Sequence, residues 1–444
     1  MAQVDVIAEI DRARFRGLPL LVSALTLLAM AFDGFDIQLI GFVAPRLISE
    51  WGVSKQALSP VLAAGLVGMA LGGLALGQIG DLYGRRVALL LSLCIIAVMS
   101  YATAQAESLQ ALAVLRFLTG LGLGGVVPNC TALMLEYSPR AVRQVVVALT
   151  VVGVPLGGVL GAEIAARVIP AYGWRMAFVV GAILPALIAI AIYFLLPESP
   201  RYLVRRGGAA GALSGLMNRI AGTQRFSAQD QFWISEGESP GARVGAAALF
   251  APAWRRDTAV IWLGMATNIF AVYAFFSWLP TVLSGAGMPL EIALRGALFF
   301  NLGGVVASVL LALLIARFGS RWIMIPTCVT AIGSSLFMGY AGDAGYPVSA
   351  LLAIMTLAGA SILGLQVALY TVTAHAYPTE LRSTGVGWAS AFARLGAILS
   401  SFGGGILLAM GQGMRPFFVG VAAVLLLTLA AVVLLQRHIA PEVS

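Results

Sequence analysis

Apolar stretches of about 20 residues recur along the whole chain, each long enough to cross a hydrocarbon core of roughly 30 Å as a helix. Backbone inside lipid must satisfy its own hydrogen bonds, so only helices and closed barrels can span. The alternating pattern of a barrel strand, repeated over roughly ten residues, is absent, and the chain is expected to be an all-α membrane protein with twelve transmembrane helices. The apolar runs lie near 18–44, 56–80, 86–105, 109–136, 141–169, 174–197, 257–284, 292–316, 322–341, 347–376, 383–411 and 416–436. Charged residues make up only 10% of the 444 positions, against about 25% in soluble proteins. That is too little polar surface to cover a water-soluble globule of this size.

The net charge of +8 does not signal nucleic acid, because the positive residues follow the membrane. With the N-terminus on the inner side, 19 of the 27 Lys and Arg residues fall in inner tails and loops, six in outer loops, and two, Arg116 and Arg394, within spans. This positive-inside pattern predicts a multi-pass protein with both termini in the cytoplasm. Residues 1–17 are charged, and the first apolar run contains Asp33 and Asp36 and lacks a small-residue cleavage pattern, so it is expected to be retained. Cys94, Cys130 and Cys328 lie in apolar spans without CxxC spacing and read as small core residues, not as a disulfide framework or metal site.

Residues 198–255 form the one long polar interruption, read as a solvated cytoplasmic linker, with six spans on either side. The domain reading is therefore a tail (1–17), a six-helix bundle (18–197), the linker (198–255), a second six-helix bundle (256–437) and a short tail (438–444). The halves echo one another. Gly84-Arg85-Arg86 matches Gly319-Ser320-Arg321 at an offset of 235, Tyr137-Ser138-Pro139 with Arg143 matches Tyr377-Pro378 with Arg382 at 239, and Gly173-Trp174-Arg175 matches Gly413-Met414-Arg415 at 240. Three matches in order at nearly one offset suggest duplication. Parallel six-helix repeats around a midplane substrate site are a transporter architecture, and one chain holding one whole site is expected to act as a monomer.

Enzymatic chemistry and cofactors find no support. The only lysine, Lys55, is not in a P-loop. Gly120, Gly122 and Gly125 spell GxGxxG inside an apolar helix with no strand before it, which suits close helix packing through small residues. His375 and His438 are too far apart for a HExxH site, and no Gly-x-Ser-x-Gly occurs.

Charge inside a membrane is costly and marks functional candidates. Asp33 and Asp36 are three residues apart, hence on one face of the first span. Carboxylates sharing a dry face repel each other and are disfavoured as anions, so such a pair can take up and release a proton near neutral pH; a static pair balancing the arginines is the other reading. Arg116 and Arg394, one in each half, stay charged and present a planar fork suited to a carboxylate. Arg116 could instead pair internally with Asp33 or Asp36. Glu163, near the outer end of span five, reads as a gate or interface group, and His375 as an interfacial histidine. Tyr273, Phe276, Trp278, Tyr370 and Trp388 are candidates to line an aromatic-accepting cavity or to anchor helices at the interface.

Gly77-Gln78-Ile79-Gly80-Asp81-Leu82-Tyr83-Gly84-Arg85-Arg86 resembles the signature loop between helices two and three of the major facilitator superfamily. The resemblance implies two six-helix bundles and a gating network of Asp81, Arg85 and Arg86. The second copy has Ala316 in place of the acid, so the network is expected to be asymmetric. Arg116-Phe117-Leu118-Thr119-Gly120 with Gly122 and Gly124 resembles the fourth-helix motif linked to proton coupling. Asp33-Gly34-Phe35-Asp36 running into Ile40-Gly41-Phe42-Val43-Ala44-Pro45, Pro128-Asn129 through Glu136-Tyr137, and Tyr377-Pro378-Thr379-Glu380-Leu381-Arg382 through Trp388 to Ala393-Arg394 resemble the aromatic acid:proton symporters. The implied function is import of a small aromatic carboxylate with protons across a bacterial inner membrane. Asp33, Asp36 and Arg116 would couple the proton, and Arg394, Arg116, Asn129, Tyr273, Trp278, Tyr370 and Trp388 would bind substrate. Glu136, Arg143, Glu163, Glu380 and Arg382 would join the gates. Pro197-Glu198-Ser199-Pro200-Arg201 is also typical of sugar porters, leaving sugar or other organic-acid symport as an alternative, beside aromatic efflux and a non-transporting receptor.

Overall fold

The computed structural model describes residues 3–207, 210–235, 246–341, 346–410 and 413–441. A short strand β1 (Gln3–Asp5) and helix α1 (Val6–Arg12) precede the first six long helices. Those are α2 (Leu18–Trp51), α3 (Ser59–Tyr83), α4 (Arg85–Ala104), α5 (Leu109–Tyr137), α6 (Arg143–Tyr172) and α7 (Trp174–Leu195). Helices α8 (Pro200–Arg205) and α9 (Ala210–Ala221) and strand β2 (Gln231–Trp233) follow. The second six are α10 (Arg255–Gly285), α11 (Leu290–Phe318), α12 (Ser320–Ala341), α13 (Val348–Ala376), α14 (Thr379–Ala409) and α15 (Arg415–Leu434). Twelve helices among the described residues are long and apolar enough to cross a membrane. The expected all-α class holds, with one three-residue strand pair as a minor addition.

The same pairing occurs in both halves. Helix α3 packs on α5, α2 on α6 and α4 on α7, and in the second half α11 packs on α13, α10 on α14 and α12 on α15. The halves meet through α6 with α11, α3 with α14 and α2 with α10. Small residues permit the tightest of these seams. Cβ atoms on Gly68, Gly72, Gly120 and Gly124 would overlap the facing backbone between α3 and α5, while Gly122 and Gly125 face Ile96 and Ser92 of α4. The GxGxxG run is thus helix packing, as its apolar context predicts. Leu74, Val98, Leu187, Phe194, Leu313 and Leu399 remain exposed, as helices facing lipid tails require.

Helix α2 runs seven residues past the apolar run that predicts it, through Pro45 to Trp51, and stops at Gly52, whose φ of 61° gives the left-handed turn that ends a helix. Among the described residues, the tail and linker make specific contacts with each other. β1 pairs in parallel with β2, Gln3 opposite Gln231. Asp5 caps α1 by accepting from the Ile7 amide at 3.0 Å. Glu9 pairs with Arg225 at 2.6 Å, and Asp11 pairs with Arg143 at 3.1 Å. Leu213, Leu216, Met217 and Ile220 give α9 a buried face.

Candidate functional site

Asp36 is wholly buried on α2, and its Oδ2 accepts from Arg116 Nη2 of α5 at 2.6 Å. Ser100 of α4 donates to the other carboxylate oxygen at 3.2 Å. The Arg116 guanidinium lies 5.6 Å from the Phe178 ring centroid on α7, a cation–π contact that shares in satisfying the buried charge. Of the two internal pairings open to Arg116, the fold selects Asp36. Arg116 Nη1 is buried and has no hydrogen-bond partner among the described residues. Asp33, one turn back, is 1% exposed with Oδ1 likewise unpartnered. The charged neighbours acting on it are Asp36 and Arg394.

Arg394 is half-buried on α14 and reaches across to the other half, where Nη1 donates to the Met69 carbonyl of α3 at 2.9 Å. Gly73 leaves room for its guanidinium. Tyr273 of α10 and Tyr370 of α13 stand close to Arg394. At the centre lies a cavity of about 20 Å³, lined by Arg116, Met69, Tyr273, Ser277, Ile37 and Ile40 among others. A water molecule's share of liquid volume is about 30 Å³, so the two halves are drawn together over a nearly closed centre.

The joints between halves lie from mid-depth to the end remote from the linker. Gln38 Nε2 donates to Asn301 Oδ1 at 3.2 Å, and Asn301 Nδ2 donates to Gln38 Oε1 at 2.8 Å. With the Arg394–Met69 bond, these are the hydrogen bonds joining α2–α7 to α10–α15 among the described residues. Beyond them, Gly285 lies against Lys55, and Gly405 against Ser59.

Three of the substrate-binding candidates do not line the central cavity. Trp388 is 48% exposed and stacks with Trp262 and Phe392 on the outer surface, because α14 turns its Arg394 face inward and this side outward. Trp278 is fully buried with its indole against Gly404, and the cavity wall is formed by Tyr273 and Ser277 instead. Asn129 is held at the α3–α5 seam, donating to Leu76 O at 3.2 Å and Gly125 O at 2.8 Å and accepting from Arg85 at 3.5 Å.

On the linker face, Asp81 pairs with Arg85. Arg86 donates its backbone N–H to Glu198 Oε1 at 3.1 Å and its side chain to Tyr193 O at 2.5 Å. Ser199 joins Glu198 to Glu136, and Tyr137 donates to Glu198 O at 2.7 Å. A side chain on Gly84, whose φ is +108°, would overlap the Glu198 carboxylate. Glu198, Tyr193 and Asp11 are members of this network that the motif reading did not assign; the Pro-Glu-Ser-Pro-Arg run carried the signal for the first. The second copy differs, as Ala316 predicts: Asp257 accepts from the Gln436 amide at 3.0 Å, and Ser320 meets His438 at 3.1 Å. Glu380 and Arg382 are exposed and form no salt bridge among the described residues. Glu163 pairs with Arg167 at the far end, where Glu50 also binds Arg175 at 2.8 Å and Trp174 Nε1 at 2.8 Å. His375 is exposed.

Comparison with known proteins agrees with this arrangement. The family model for the Major Facilitator Superfamily matches residues 26–400. The chain is 34% identical over 417 residues to the gallate transporter of Pseudomonas putida, covering 94% of this chain and 92% of that protein. It is 34% identical over 410 residues to the 4-hydroxybenzoate transporter PcaK of Pseudomonas aeruginosa, covering 92% and 91%. The fold is similar to that of the xylose transporter XylE from E. coli, with a TM-score of 0.70 at 17% identity over 94% of this chain and 96% of that one. The chain belongs to the Major Facilitator Superfamily and is a multi-pass membrane transporter, not an enzyme.

Proposed function

We propose that the protein imports a small aromatic carboxylate together with protons by alternating access, as a monomer in a bacterial inner membrane with both termini in the cytoplasm. The observation that carries the proposal is the central constellation: a buried Asp36–Arg116 pair, an Asp33 carboxyl one turn away whose Oδ1 has no partner among the described residues, and Arg394 reaching in from the other half. The gallate and 4-hydroxybenzoate transporters named above support the substrate class. Arg394 is held by one neutral carbonyl, and a charge-assisted fork to a carboxylate is stronger, so an arriving anion would draw it away from Met69. Asp33 and Asp36 are the groups able to accept a proton there, because arginine stays charged at physiological pH.

A proton on Asp36 removes the anion that ties α2 to α5 at Arg116, freeing that cation to balance the substrate. The aromatic ring would lie against Tyr273 and Tyr370, in space that opens when the halves rock apart. In the present arrangement the halves are joined at mid-depth and at the end remote from the linker, which corresponds to a gate closed toward the outside. Reaching the outward state requires separating Gln38 from Asn301 and closing the linker face through Asp81, Arg85 and Arg86.

The test is uptake of labelled benzoate and 4-hydroxybenzoate into proteoliposomes with and without an inward proton gradient, beside Asp36→Asn and Arg394→Ala. Gradient-driven accumulation abolished by both substitutions is expected. Absence of uptake of either acid by folded wild-type protein refutes the reading.

A further inference from the structure

The second half holds a run of polar groups that the carboxylate and proton chemistry does not use. Asn268 on α10 is fully buried; its Nδ2 donates to Gln366 Oε1 at 2.8 Å and to Ile362 O at 3.2 Å, while its Oδ1 has no partner among the described residues. Gln366 on α13 is 8% exposed; its Oε1 accepts from Asn268, and its Nε2 reaches the Met265 sulfur at 3.5 Å, a weak acceptor, with the Tyr370 hydroxyl as its other polar neighbour. The next turn of α13 carries Tyr370, whose hydroxyl stands beside both Gln366 and Ser390 of α14. A buried amide oxygen without a partner is costly in an apolar bundle and calls for an explanation, and a polar group of a bound ligand is one that this position allows.

The run approaches the central site through Tyr273. Tyr273 lines the cavity and stands near both Tyr370 and Arg394. Ser390 and Arg394 are four residues apart on α14, and Gln366 and Tyr370 four apart on α13, so each pair shares a helix face about 6 Å apart along the axis. That separation is comparable to the distance between opposite substituents of a benzene ring. A carboxylate held by Arg394 therefore places ring hydroxyl groups one turn away, among Tyr370, Gln366 and Asn268.

We propose that Asn268, Gln366 and Tyr370 form the subsite that recognises ring hydroxyl groups of the substrate, and so set the preference for hydroxylated over plain aromatic acids. The free Oδ1 of Asn268 accepts from a ring hydroxyl, and the Gln366 amide donates to one. This inference rests on the reading of Arg394 as the carboxylate ligand. A pocket with dedicated hydrogen-bond partners rejects an analogue lacking the hydroxyl, because its own groups are left unpaired.

The experiment measures gradient-driven uptake into proteoliposomes of 4-hydroxybenzoate, benzoate and 4-methylbenzoate, the last filling the same space without a hydroxyl. Wild-type protein should favour 4-hydroxybenzoate over 4-methylbenzoate by about tenfold or more in kcat/KM. Asn268→Leu and Gln366→Leu, on different helices, should each lower the 4-hydroxybenzoate to benzoate ratio roughly tenfold. A ratio is independent of how much protein folds and inserts, so a general structural defect would not move it. Equal handling of 4-hydroxybenzoate and 4-methylbenzoate by wild type overturns the subsite without any variant, and so does an unchanged ratio in both variants. Failure of wild type to take up any of the three acids removes the carboxylate reading first, and the subsite with it.

Discussion

The reciprocal amide pair Gln38–Asn301 is the sharpest test of how the two halves move. Both residues are buried, at 1% and 0% exposure, and both cross-half bonds must break if the halves part at that level. Each amide keeps a bond within its own half, Gln38 to Gly34 O at 3.3 Å and Asn301 to Ala297 O at 2.9 Å, so opening forfeits only the cross-half bonds. Two neutral hydrogen bonds contribute together about 1–3 kcal/mol, a roughly 5- to 150-fold bias toward the joined state. Gln38→Leu or Asn301→Leu should therefore shift the population toward separation, read as a longer distance between spin labels at the exposed positions Ser54 and Ala286. Gly158→Ala should do the same with both amides intact, since its Cβ would overlap Gln38 and Asn301. Pairing Gln38→Leu with Asn301→Leu should shift the equilibrium less than the two single effects added together. Unchanged distances in all the single variants, or strict additivity in the double, would refute the role of this pair as a clasp.

Other consequences are equally open to measurement. Asp36→Leu should destabilise the protein by about 3–5 kcal/mol by leaving Arg116 buried and unpaired, whereas Arg116→Leu should cost less because Asp36 can bind a proton; the order of melting temperatures in detergent tests this, and the reverse order contradicts it. Gly84→Ala should strain a backbone at φ +108° and displace Glu198 from the Arg86 amide, costing about 1–3 kcal/mol and slowing transport, seen as a lower Tm and a lower uptake rate. Burial, with Arg321 nearby, holds His438 below its ordinary value of 6.5. Its neutral ring bridges Ser320 at 3.1 Å and Val432 O at 3.1 Å. The unfolded segment binds the proton more readily, so this anchor contributes fully above about pH 6.5 and weakens as pH falls through the lower folded value. Amide hydrogen exchange of residues 435–441 should rise on acidification, and His438→Leu should lose that pH dependence.

The spans were legible because lipid leaves a chain few options, and the central charges because an arginine or aspartate inside an apolar run is costly and stands out, whether it serves transport or only balances another charge. Which aspartate would hold Arg116 was not legible: Asp33 and Asp36 share a helix face, and only the crossing of α2, α4 and α5 brings Asp36 and Ser100 to it. Aromatic residues in a span carry no sign of direction, so Trp388 and Trp278 read like Tyr273 until the rotation of α14 and α10 was fixed. Asn129 misled for a related reason, since an amide in a helix serves a backbone carbonyl as well as a ligand. The tail and linker were read from polarity alone, which conceals a pairing between segments more than 220 residues apart.

That pairing changes what counts as the leash between the halves. β1, Asp5 and Glu9 secure the linker as far as Ser235 to the N-terminal segment, and Asp11 secures that segment to the start of α6. At the other end Thr258 holds Leu249 O at 2.9 Å on the second half. The described linker is therefore moored at both ends: its first part to the N-terminal segment through Ser235, whose amide donates to Asp5 at 3.3 Å, and its last part to the second half at Leu249. Motion of the second half against the first is thus passed on to the N-terminal segment as well, and deleting β1 would release the linker from the half that it now follows.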